Sequence, residues 1–112
     1  MNEPDTLLLV HTTCADAAQA RRLADAVVDR RLAACASIGA PIVSTFPWDG
    51  AIQHEEEIPV TFKTTRGAFD ALERAMADLH PYDVPELLAV PVAAAAADYA
   101  DWLREWVREG DA

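Results

Sequence analysis

Ile42-Val43-Ser44-Thr45-Phe46-Pro47-Trp48-Asp49-Gly50-Ala51-Ile52-Gln53-His54-Glu55-Glu56-Glu57 sets a turn signal between two runs rich in β-branched, aromatic and polar residues. Asp49-Gly50 is a residue pair suited to a two-residue type I′ turn, in which both central residues need φ above zero. The turn predicts a hairpin, with one strand running from Cys35 to Trp48 and the other from Ala51 to Thr65, the latter interrupted by Pro59. Directly opposed residues of an antiparallel pair share a face. If Trp48 opposes Ala51, then Phe46 faces Gln53 and Ile42 faces Glu57, while the other side sets Val43 against His54 or Glu56. Each face then mixes apolar and charged groups. The pattern predicts a bulge at one of the prolines and protein cover on both faces, one from the chain's own helices and one from a neighbouring subunit.

The hairpin sits between two further units. Thr6 to Thr13 is a nearly continuous apolar run that fits a central strand. After it, Asp16 is a good N-cap for an amphipathic helix with Ala20, Leu23, Ala24, Val27 and Val28 on one face, ending around Leu32. A second helix starts near Arg66-Gly67, with Phe69, Leu72, Ala75, Met76 and Leu79 as its stripe, and stops at His80-Pro81. A strand from Glu86 to Val92 follows. A final helix from about Asp98 is expected to bury Tyr99, Trp102, Leu103, Trp106 and Val107. The order β-α-β-β-α-β-α predicts an α+β, ferredoxin-like domain over residues 1–112 with an extra C-terminal helix and an antiparallel sheet.

Composition narrows the partners. The chain has 112 residues and a net charge of −10, which repels phosphate backbones and anionic membranes, so nucleic acid and membrane are not expected. Two cysteines make no disulfide framework, and the acidic stretch Met1 to Asp5 lacks the basic segment of a signal peptide. A cytoplasmic setting is expected. The chain contains no P-loop, dinucleotide fingerprint or Gly-x-Ser-x-Gly elbow, and no organic cofactor is expected.

Five blocks in order resemble the CutA family, the divalent cation tolerance proteins: Arg31-Leu32-Ala33-Ala34-Cys35-Ala36, Trp48-Asp49-Gly50, Glu55-Glu56-Glu57 with Phe62-Lys63-Thr64-Thr65, His80-Pro81-Tyr82-Asp83-Val84-Pro85-Glu86-Leu87, and Tyr99-Ala100-Asp101-Trp102-Leu103. The resemblance covers Leu7 to Val107. It implies a homotrimer, similar in shape to PII signalling proteins, that takes part in tolerance to metal ions and binds copper, another divalent metal or a small ligand near its inter-subunit clefts. No base and nucleophile are adjacent in sequence and no oxyanion motif is visible, so an enzyme is not expected. In members proposed to bind copper, a cysteine after the first strand and two consecutive histidines before Pro-Tyr are the ligands; the matching positions here are Thr12, Leu79 and His80.

Read as chemistry, the polar blocks give three groups. Cys14, read on the loop into the first helix, and His80 are the metal candidates, two donors where zinc and copper take three or four, so weak copper-selective binding is expected. Cys35, Glu57, Lys63, Tyr82 and Glu86 are the ligand-cleft candidates. Trp48, Glu57 and Lys63 are the interface candidates. Glu57 and Lys63 lie on the order of 20 Å apart along one strand, so each needs a partner on another strand or subunit. Two alternatives compete with a metal- or ligand-binding trimer: a docking trimer without metal function, and an enzyme using Cys35 or Cys14 with His80.

Overall fold

The computed structural model describes residues 3–109, so Met1 and Asn2 of the acidic N-terminal stretch lie outside the described residues. The elements are β1 (Leu7–Cys14), α1 (Ala17–Asp29), β2 (Cys35–Ile38), β3 (Ile42–Trp48), β4 (Ala51–Thr65), α2 (Arg66–Leu79), β5 (Leu88–Pro91) and α3 (Ala97–Glu109). The sheet runs β2-β4-β1-β5, with β3 continuing beside β4 beyond the end of β2. With β2 and β3 taken as one interrupted strand, this is the expected ferredoxin-like α+β arrangement with one added helix.

The hairpin register is the one its turn dictates. Trp48 opposes Ala51, Phe46 opposes Gln53, Ile42 opposes Glu57, and Val43 meets Glu56. Asp49 and Gly50 have φ of 49° and 77°, as a type I′ turn requires. A Cβ at Gly50 meets nothing within 4 Å. Gly50→Ala is therefore expected to cost about 1–2 kcal/mol through the left-handed backbone alone, read by urea melts at fixed protein concentration; unchanged stability would contradict this turn geometry.

The expected bulge lies at Gly39-Ala40-Pro41, three residues set against Ile58 and Pro59 of β4 between the Ile38–Val60 and Ile42–Glu57 pairs. It splits the predicted Cys35–Trp48 strand in two. Pro59 does not interrupt β4, which is continuous over 15 residues. In an antiparallel ladder a residue's N–H and C=O point to the same edge. The Pro59 carbonyl accepts the Gly39 N–H at 2.9 Å, so the missing proline donor faces the break between β2 and β3, where no ladder bond is lost.

One face of the sheet carries Leu8, Val10 and Cys14 of β1 with Ile58, Val60 and Phe62 of β4, packed under Ala20, Leu23 and Val27 of α1 and Leu72 and Met76 of α2. Asp16 caps α1 as expected, its Oδ1 accepting the Gln19 N–H at 2.8 Å. The helix ends at Asp29, short of Leu32, because the Arg31 and Leu32 amides turn back onto the Val28 and Val27 carbonyls, with Arg31 in the left-handed region at φ 60°. Glycine is the usual residue there. Arginine holds the place with its guanidinium 3.6 Å from the Trp106 ring centre and Nη1 donating to the Trp106 carbonyl, while Trp106 Nε1 donates to the Val28 carbonyl.

The second face carries Leu9, His11, Thr61, Lys63, Cys35, Leu88 and Val90 by register. Ala100, Leu103 and Val107 of α3 pack with Leu7 at one end of it. The expectation that α3 also buries Tyr99 and Trp102 is corrected: they are 41% and 50% exposed, with ring centres 5.6 Å apart and planes tilted by 39°, because the short side chain of Ala100 takes the core position between them. Leu88 and Val90 are likewise exposed, and the hairpin extends the molecule to 44 Å along its long axis.

Candidate functional site

The block from His80 to Leu87 forms an irregular connection between α2 and β5, with the strand starting only at Leu88 rather than at Glu86. Pro81 and Pro85 account for the absence of regular structure. His80 is 4% exposed and closes this loop onto the end of β1, 67 residues away in sequence. Its Nε2 lies 2.8 Å from the Thr13 carbonyl, and its Nδ1 lies 3.2 Å from the Tyr82 amide nitrogen. The carbonyl can only accept and the amide can only donate, so Nε2 carries the proton and Nδ1 the lone pair. The Tyr82 ring stands edge-on to the imidazole at 4.7 Å.

Cys14 is the last residue of β1 and is fully buried, not a loop cysteine as the sequence suggests. Its Sγ lies 4.0 Å from His80 Nε2. Burial, then the negative charges of Asp16 and Glu57, push its thiol pKa up, against the depressed value that thiolate chemistry needs. Tyr82, at the rim, is also pushed up, by burial first and then by Glu57, Cys14, Glu55 and Asp16. A raised folded-state pKa means the folded chain holds the proton more tightly, so this contribution to stability is complete below the unfolded value of 9.0 for the thiol and is lost as pH rises through the folded one. Melting temperature is thus expected to fall from about pH 9 upward, with the fall reduced in Cys14→Ser; equal slopes for both proteins would count against a buried neutral thiol.

The sequence candidates fall into two places. Cys14, His80 and Tyr82 meet at the end of β1, where Glu57 is close enough to act on both the thiol and the phenol. Lys63 does not join them. It lies on the second face of the sheet directly opposite Cys35, with Nζ 5.8 Å from the Tyr99 ring centre and no carboxylate within ion-pair distance among the described residues. Cys35 contacts Ser37 Oγ at 3.9 Å and is half-buried. Glu86 is exposed in the loop, and Trp48 is 55% exposed beside the hairpin turn.

Residue chemistry alone missed two groups. The Thr13 carbonyl is invisible to any side-chain reading. Thr12 Oγ1 is buried with no hydrogen-bond partner, two residues from Cys14 on the same face of β1; its position, where the family resemblance places a cysteine, was the available signal.

Sheet order and hairpin define a ferredoxin-like α+β domain. The CutA1 divalent ion tolerance protein family matches residues 8–106, and the chain belongs to that family. It is 43% identical over 86 residues to the divalent-cation tolerance protein CutA of Thermus thermophilus, covering 77% of this chain and 84% of the relative. It is 33% identical to human protein CutA over 91% of this chain, and spans 57% of that longer protein. Among solved structures, CutA from Synechococcus elongatus superposes with a TM-score of 0.87 at 42% identity, covering 94% of this chain and 93% of the other. The same protein has been solved with a Bis-Tris molecule, matching at a TM-score of 0.83 and 42% identity over 90% of this chain and 93% of that one. CutA from Archaeoglobus fulgidus, described as a periplasmic divalent cation tolerance protein, superposes at 0.86 with 29% identity over 90% of this chain and 98% of the other.

A resident metal does not fit the Cys14–His80 pair. Both imidazole nitrogens are engaged and the thiol is desolvated. No group of three His, Cys, Asp or Glu side chains able to hold a metal converges among the described residues.

Proposed function

We propose that this chain acts in divalent-cation tolerance as a homotrimer that holds a small ligand in the clefts between subunits, by binding and not by catalysis. One observation carries the reading: the second face of the sheet is half-covered, presenting exposed Leu88 and Val90 beside half-buried Lys63, His11 and Leu9. A domain of this size gains by covering such a surface with another copy of itself. The hairpin supplies what would cover it. It carries exposed Ile42, Val43, Trp48 and Ile52 with the acidic run Glu55-Glu56-Glu57, complementary in apolar character and in charge to a face whose cation is Lys63. In this reading Glu57 and Lys63, which cannot meet within one strand, pair between subunits, and Trp48 docks on a neighbour.

The Bis-Tris molecule held by the Synechococcus elongatus relative supports room for a small polar organic ligand in this fold. The ligand groups in this chain are Cys35, Lys63, Tyr82, Glu57 and Glu86. No helix among the described residues is long and apolar enough to cross a membrane. Both cysteines are free thiols on opposite faces of the sheet, which suits a reducing cytoplasm.

The function is tested by growth of cells lacking this chain in medium with raised copper or zinc. Wild type should restore growth, and a variant unable to trimerise should not. Restoration by a monomeric variant would separate tolerance from assembly and overturn the proposal.

A further inference from the structure

We propose that His80 is a tautomer-locked staple that positions Tyr82, and that the Cys14–His80 pair of this chain holds no metal in the folded protein. This goes beyond the trimeric ligand-binding reading and stands or falls independently of it.

An imidazole nitrogen binds a metal through its lone pair, and the nitrogen nearest the Cys14 sulfur is Nε2. That nitrogen carries the proton given to the Thr13 carbonyl at 2.8 Å. Freeing its lone pair moves the proton to Nδ1, where the Tyr82 N–H already points from 3.2 Å, and two donors would then face each other. Coordination at Nε2 therefore removes both bonds that close the loop. Coordination at Nδ1 leaves the Thr13 bond intact but removes the Tyr82 bond, and it faces away from the thiol.

Sulfur does not offset that loss. Zinc and copper need an approach path and a full donor set, and the Cys14 sulfur is fully buried, with His80 Nε2, already engaged, 4.0 Å away. A third donor is also missing. Thr12, two residues back on the same strand face, offers only a hydroxyl, and Leu79, before His80, packs as a hydrophobe against the core. Neither replaces thiolate or imidazole.

Satisfied in both directions, the ring instead does a mechanical task. It fixes the end of β1 to the loop, sets the Tyr82 backbone through Nδ1, and sets the Tyr82 ring through the edge-on contact at 4.7 Å. The phenol is left 36% exposed at the rim, within reach of the charges of Glu57, Glu55 and Asp16. His80 is thus a positioning residue for Tyr82.

The test is imidazole nitrogen NMR on the full chain under reducing, anaerobic conditions, with zinc or cuprous ion as the probe. The expected His80 spectrum is that of the Nε2–H tautomer, unchanged by excess of either ion, even where surface carboxylates bind some of it. Loss of the Nε2 proton signal at one equivalent would overturn the proposal. Hydrogen exchange at the Tyr82 amide supplies the positioning readout. Exchange should speed up about ten-fold in His80→Ala, as expected for one lost part-buried hydrogen bond, and stay near wild type in His80→Asn, whose Oδ1 stands where Nδ1 does. Equal exchange in all three proteins would remove the positioning role. If His80→Ala does not fold, wild type and His80→Asn still decide it, since fast exchange in His80→Asn with an intact fold also contradicts the acceptor role.

Discussion

Phe62→Ala will lower the stability of the folded chain by about 3–5 kcal/mol, the largest loss expected from a single truncation in this core. Phe62 is fully buried in the middle of β4, between Val10 of β1 and Ala36 of β2 by register. It lies in the core that α1 and α2 cover. Removing the ring forfeits its transfer free energy and leaves a cavity that a central strand bonded on both edges cannot collapse around. Urea melts at one fixed protein concentration will read the loss, because assembly makes apparent stability depend on concentration. A loss below about 1 kcal/mol, the range of ordinary surface changes, would mean that this core does not carry the fold.

In the proposed trimer, Val90→Asp and Lys63→Ala are both expected to weaken assembly, by different routes. The aspartate puts a new carboxylate on the uncovered face of an already acidic chain, and burying it against a neighbour without a partner costs several kcal/mol. It should yield monomers at micromolar concentration. Lys63 is the chain's single lysine, and no carboxylate among the described residues pairs with it. If Glu57 of a neighbouring subunit does so, removing the lysine leaves that carboxylate buried and uncompensated, which costs about 3–5 kcal/mol of assembly. Thermal melts over a range of protein concentrations separate the cases. An unchanged melting temperature for Lys63→Ala, together with lost small-ligand binding, would make Lys63 a ligand residue rather than an interface one.

Local rules made the hairpin legible. Asp49-Gly50 fixed the turn, the turn fixed Trp48 against Ala51, and two mixed faces called for a bulge that lies at Gly39-Ala40-Pro41. The N-cap at Asp16 was equally local. What escaped the sequence was non-local or masked by its neighbours. Cys14 alone reads as a loop residue because it stands between the apolar run and the Asp16 cap, yet Leu8, Val10, Thr12 and Cys14 keep the period of two that carries the strand inward. Tyr99 and Trp102 read as core because aromatic residues at helical spacing usually are, while the inward row of α3 is Ala100, Leu103 and Val107. At the site, the meeting of Cys14 with His80 followed from supposing that the fold joins them. The engagement of both ring nitrogens did not, since it depends on a backbone carbonyl far away in sequence.

Native mass spectrometry of the wild-type chain at micromolar concentration reads the proposed assembly itself. Three copies per particle is the predicted result, with dissociation in Val90→Asp under the same conditions. A monomer for the wild type would contradict the account, because the uncovered sheet face, the projecting hairpin and the inter-subunit clefts would then have no partner to form them.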